Sequence, residues 1–188
     1  MERVRTQTKR IAVLGMMLAI IAALSALEHM LPPLPFLPPQ VRPGLSNVVT
    51  MYTLFFLGTG PALLLTVLKS LFVLLMRGAV AGFLSLCGGL LSVGVILALA
   101  AVSKRRLSYL LLSVGGALAH NAGQLLAASL VLKTGLVFTY FPVLAVAGIL
   151  MGSITGALLR AVMPLFDKTL GTAFDTEEAR PGGKASEQ

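Results

Sequence analysis

The stretch Ala79–Val102, AVAGFLSLCGGLLSVGVILALAAV, contains no charged residue. It is longer than the roughly 20 apolar residues that a helix needs to cross the hydrocarbon core of a bilayer. Its apolar residues are continuous, whereas the strands of a membrane β-barrel alternate apolar and polar positions. One such run decides the fold class as an all-α integral membrane protein. Further runs of the same kind lie on both sides. Residues 109–132 and 138–162 are full spans, and residues 11–31 form another behind a basic head that includes Arg3, Arg5, Lys9 and Arg10. Two shorter segments, 45–57 and 61–76, are joined by Gly58-Thr59-Gly60-Pro61. Gly and Pro make that junction a turn, with Pro61 placed early in the following helix.

The composition agrees. Of 188 residues, 56% are hydrophobic and 12% charged, and the mean hydropathy is +0.91. A soluble domain has about 25% charged residues, and a disordered chain has fewer apolar ones. The expected organisation is a cytoplasmic head at 1–10, a six-helix membrane domain at 11–163 and a disordered polar tail at 164–188. A basic start before an apolar run also describes a secretory signal peptide. Residues 11–27 run on without a break into a chain that is membrane-embedded throughout, so an uncleaved helix is the better reading.

The net charge of +8 does not point to nucleic acid, because membrane proteins concentrate Lys and Arg in cytoplasmic segments. Six spans with both termini inside place all but Arg42, Lys69, Arg77 and Lys133 of the 15 Lys and Arg on the cytoplasmic side. Five spans would split the basic head from the basic tail. The location expected is a bacterial plasma membrane.

Residues 32–43 hold Pro32, Pro33, Pro35, Pro38, Pro39 and Pro43. Proline at that density excludes a helix and predicts a stiff, extended loop that lies on the membrane surface or folds over a cavity. Short helices joined by Gly and Pro are a pointer to a binding site in membrane proteins. Polar side chains predicted in the outer half and near mid-depth are Glu28, Arg42, Asn47, Lys69, Arg77, His120, Asn121 and Gln124. Groups of this kind in a membrane must face protein or a cavity. Helix–helix hydrogen bonding is the ordinary explanation for His120, Asn121 and Gln124. The alternative is a site for an anionic or polar ligand, with loss of charge at Arg77 weakening binding. Small residues repeat every four positions at Gly15, Ala19 and Ala23, and at Gly148, Gly152 and Gly156, a pattern that permits close helix approach.

Several chemistries find no support. The single cysteine, Cys87, and two histidines make neither a disulfide nor a transition-metal site. No paired carboxylates, aspartate-rich diphosphate–magnesium motif or Walker A motif is present. The expectation is a chain without catalytic activity, metal or cofactor.

Five segments carry a family resemblance: RIAVLGMMLA (10–19), GLSNVVT (44–50), SLCGGLLS (85–92), GALAHNAGQL (116–125) and PVLAVAGILMGSITG (142–156). Together they resemble the bacterial Gx transporters, often labelled heptaprenyl diphosphate synthase component I. That family is similar in turn to the S-components of energy-coupling factor transporters. The resemblance implies a six-helix bundle with an outer substrate pocket under the loop after the first helix. It also implies docking of the Gly15, Ala19 and Ala23 face to a transmembrane coupling subunit driven by ATPases. The expected function is substrate binding for uptake of a vitamin-like or cofactor-precursor molecule. The alternative is a non-catalytic membrane accessory of isoprenoid or quinone biosynthesis.

Overall fold

The computed structural model describes residues 2–30, 45–102 and 108–174. Within them the chain forms α1 (Glu2–Met30), α2 (Leu45–Phe56), α3 (Thr59–Arg77), α4 (Ala79–Val102), α5 (Tyr109–Leu132) and α6 (Phe141–Phe174). A 3-10 turn, Gly135–Tyr140, precedes α6. Two helices differ from the sequence expectation. Helix α1 starts at Glu2, so the basic head is its first turns rather than a separate segment. Helix α6 runs past Val162, through Pro164, to Phe174. The proline restricts its own and the preceding residue's backbone but does not end this helix.

The helix boundaries have local causes. Gly58 (φ 97°) and Gly78 (φ 90°) bracket α3 in backbone conformations that favour glycine. The Gly78 N–H donates to the Leu74 carbonyl. Ser108 caps α5, its side chain accepting from the Leu111 N–H at 3.3 Å. Lys133 ends α5 in the left-handed region at φ 50°.

Four stretches are long and apolar enough to cross a bilayer: Thr59–Arg77, Ala79–Val102, Tyr109–Leu132 and Gly135–Ala161. The apolar part of α1, Ile11–Leu27, is shorter. Helix α2 has 12 residues, a rise of about 18 Å against a hydrocarbon core of about 30 Å. Large apolar side chains cover the outside, among them Leu75 (75% exposed), Leu130 (72%) and Val102 (86%). An exterior of this kind suits lipid, not water.

The bundle is held by two kinds of contact. Helices α4, α5 and α6 pack backbone to backbone through glycine. A Cβ on Gly123 would lie 2.8 Å from the Cys87 carbonyl oxygen and 2.9 Å from the Gly88 Cα. One on Gly152 would lie 2.7 Å from the Val114 Cα, and one on Gly156 2.9 Å from the Leu110 Cα. The glycine stripe of α6 is therefore seated on α5, inside the bundle. Helices α1 and α2 join through side chains instead. Met17 and Ile21 of α1 are fully buried in a core shared with Val48, Val49, Tyr52, Leu65 and Leu159.

Candidate functional site

A cavity of mixed lining lies between the helices. Asn47, Thr50 and Met51 of α2 form one wall, and Thr66, Lys69 and Ser70 of α3 a second. Ser85 and Ser92 of α4, Ser113 and His120 of α5, and Thr155 of α6 add polar groups, while Leu54, Gly89, Val93, Ile96, Gly116 and Ala117 make much of the remaining surface apolar. Its free space is about 30 Å³, which suits one or two waters or one functional group of a ligand. It begins at Asn47, in the first turn of α2, and continues past mid-bundle to Ser113 and Thr155.

Lys69 sits about 15 Å along α3 from Thr59, and its Nζ donates to Asn47 Oδ1 at 2.6 Å. A charged donor makes this a strong hydrogen bond, and it ties α2 to α3 across the cavity. Lys69 also makes a further interaction. The neighbouring hydroxyls are largely committed to their own helix: Thr66 donates to the Ala62 carbonyl at 2.8 Å and Ser70 to the Thr66 carbonyl at 2.9 Å. Such bonds satisfy the hydrogen and leave lone pairs for the cavity. Ser113 donates to Met51 Sδ at 3.4 Å.

Two lining groups are left over. Thr50 Oγ1 and His120 Nδ1 are buried with no hydrogen-bond partner among the described residues. An unsatisfied buried polar atom costs about 1–3 kcal/mol. The His120 ring lies against the Gly88 backbone. Gly88 is what admits the ring: a Cβ there would lie 2.9 Å from the His120 carbonyl oxygen and 3.0 Å from its Cε1.

The eight binding candidates separate. Asn47, Lys69 and His120 meet at the cavity, although they lie on three helices and are up to 73 positions apart in sequence. Asn121 instead donates to the Leu144 carbonyl at 2.8 Å and ties α5 to α6. Gln124 packs its Cγ against Gly88. Arg77 is exposed at the end of α3 and does not line the cavity. The Glu28 side chain and Arg42 fall outside the described residues. Sequence reading missed the hydroxyl lining of Thr50, Thr66, Ser70, Ser85, Ser92, Ser113 and Thr155. Ser and Thr are common enough in membrane helices to be unremarked singly. Of the docking candidates, Gly15, Ala19 and Ala23 are all exposed, and a Cβ on Gly15 would meet nothing within 4 Å.

Long apolar helices with an apolar exterior, closed around a cavity into which Lys69, His120 and several hydroxyls reach, define a helical membrane protein with polar groups in its interior. Residues 17–162 match the family described as heptaprenyl diphosphate synthase component I. The chain belongs to that family, the one its sequence segments resemble. No curated protein and no solved structure matches it.

Proposed function

We propose that this chain is the substrate-binding membrane subunit of an importer for a small polar or anionic molecule, vitamin-like or a cofactor precursor. The observation that carries the reading is the Lys69–Asn47 pair at the head of a cavity inside an apolar bundle. A cation at this depth is costly and marks a site or a buried pair. In the proposed orientation, the six helices lie in a bacterial plasma membrane, the shorter ones crossing only part of it, with both termini in the cytoplasm. The end of the cavity that Asn47 marks then faces outward. Ligand arrives from that side. Only one of its functional groups occupies the narrow cavity.

The chain supplies no ATPase motif, so the motor is a partner. The exposed Gly15, Ala19 and Ala23 face of α1 supports docking to a transmembrane coupling subunit. The proposed role is binding, with no catalysis by this chain.

The test is to purify the protein in detergent and identify co-purifying small molecules by mass spectrometry. Lys69→Met should weaken binding of the identified molecule at least tenfold. Arg77→Ala, remote from the cavity walls, should weaken it less. Unchanged affinity in Lys69→Met refutes the site. The family description favours a second reading, a non-catalytic accessory of isoprenoid biosynthesis. It predicts a ligand with a long apolar tail and a stable complex with a soluble synthase. A water-soluble ligand would sink that alternative.

A further inference from the structure

Beside the contact of α5 with α6, the outer surface carries a groove of about 280 Å³. Leu110 of α5 and Gly156, Ala157, Arg160 and Ala161 of α6 line it. Its shape follows from residue size. Gly156 sits so close to α5 that a Cβ there would lie 2.9 Å from the Leu110 Cα. Ala157 and Ala161 are exposed and carry only a methyl group. The same contact fixes the level of the groove. Leu110 is the second residue of α5, and Arg160 stands one turn beyond Gly156, about 6 Å along α6. The apolar run that can cross a bilayer ends at Ala161. Arg160 therefore stands where hydrocarbon gives way to headgroups, and the small residues of the groove lie just inside that level. Its side chain is exposed and makes no ion pair or hydrogen bond among the described residues.

We infer that this groove binds an anionic phospholipid, with the phosphate on Arg160 and part of one acyl chain against Gly156, Ala157 and Ala161. The walls offer one cation and no other polar side chain. A phosphodiester with hydrocarbon tails is complementary to that combination, because a guanidinium can hold a phosphate by two parallel hydrogen bonds and the alanine methyls meet only the chain. Basic pockets between helices at a membrane face are a recurring seat for anionic headgroups. Neither Arg160 nor Ala157 lines the internal cavity, so the inference is independent of the substrate-binding reading.

The test is native mass spectrometry of the full chain, released from detergent micelles that hold equal amounts of phosphatidylglycerol and phosphatidylcholine with identical acyl chains. Wild-type protein should retain phosphatidylglycerol in preference. Arg160→Gln should lower that preference about fivefold, the effect of one cation on an anionic headgroup. Arg160→Lys keeps the charge without the planar fork and should lower it less. Ala157→Phe fills the groove, leaves Arg160 in place and should reduce retention of phosphatidylglycerol at least as far as Arg160→Gln does. Both positions are exposed, so neither change disturbs the core. Inorganic phosphate and glycerol 1-phosphate in excess should not displace the lipid, because they lack the chain. An unchanged preference in Arg160→Gln overturns the proposal. Unchanged retention in Ala157→Phe does the same, since the headgroup would then need no groove, and so does displacement by either soluble phosphate. A photo-reactive residue in place of Ala157 should cross-link to lipid in native membranes; cross-linking to protein instead would make the groove a protein interface and overturn the lipid site.

Discussion

Replacing Gly152 by alanine tests how the bundle is held together. Alanine favours a helix over glycine by about 0.8–1 kcal/mol, so propensity alone makes the change stabilising. The packing opposes it. The added Cβ would lie 2.7 Å from the Val114 Cα, 3.1 Å from the Ser113 carbonyl oxygen and 3.1 Å from the Ala117 Cβ. Two of those atoms are backbone, so no rotamer change relieves the clash, and α6 must move away from α5. Overpacking of this kind costs about 1–3 kcal/mol. The balance is a net loss of about 0–2 kcal/mol, with a second cost because Asn121 and Leu144 bridge the same pair of helices. Gly15→Ala is the matched control. Its Cβ meets nothing within 4 Å, so propensity acts unopposed and stability should rise by up to about 1 kcal/mol. The assay is reversible unfolding in mixed detergent micelles, followed by circular dichroism. Gly152→Ala at least as stable as Gly15→Ala would refute close α5–α6 packing.

Three further outcomes follow from single contacts. Gly88→Ala places a Cβ 2.9 Å from Gln124 Cγ and 3.0 Å from His120 Cε1; it should shift the His120 ¹⁵N resonances, and unchanged resonances would contradict the ring's seat against Gly88. Asn121→Leu removes the 2.8 Å bond to the Leu144 carbonyl and should lower unfolding stability by about 0.6–2 kcal/mol, with ligand binding retained because Asn121 does not line the cavity. Gly78→Ala forces a side chain into φ 90° and should cost about 1 kcal/mol or more, measured in the same unfolding assay; a neutral result would mean that the α3–α4 turn adopts another conformation.

Much of the fold is local and was legible. Ala79–Val102 and Tyr109–Leu132 run between the residues that the apolar pattern marked, because helix formation depends on neighbours along the chain. Gly58 marked the α2–α3 turn by its tolerance of positive φ. The helices run on to Glu2 and to Phe174, past the limits of the apolar pattern, because a backbone can stay helical beyond the residues that a membrane requires to be apolar.

The site was legible only in part, for a physical reason. In a soluble protein the inner face of a helix is apolar and the outer face polar, so sequence separates them. In lipid the outer face is apolar too, and Leu75 or Leu130 on the exterior resembles Leu65 in the core. Sequence could say that Asn47, Lys69, His120, Asn121 and Gln124 needed partners, since unpaired polar groups are costly in hydrocarbon. It could not say which partners. That was decided by how closely glycines 123, 148, 152 and 156 let α4, α5 and α6 approach. Their contact turned Asn121 to the Leu144 carbonyl and left His120 facing Lys69 and Asn47 across one cavity. The sequence by itself determined the helices, their apolar character and the short list of polar residues. Only the tertiary structure decided which of those residues hold the bundle together and which share a cavity, because that depends on interhelical distances no local pattern encodes.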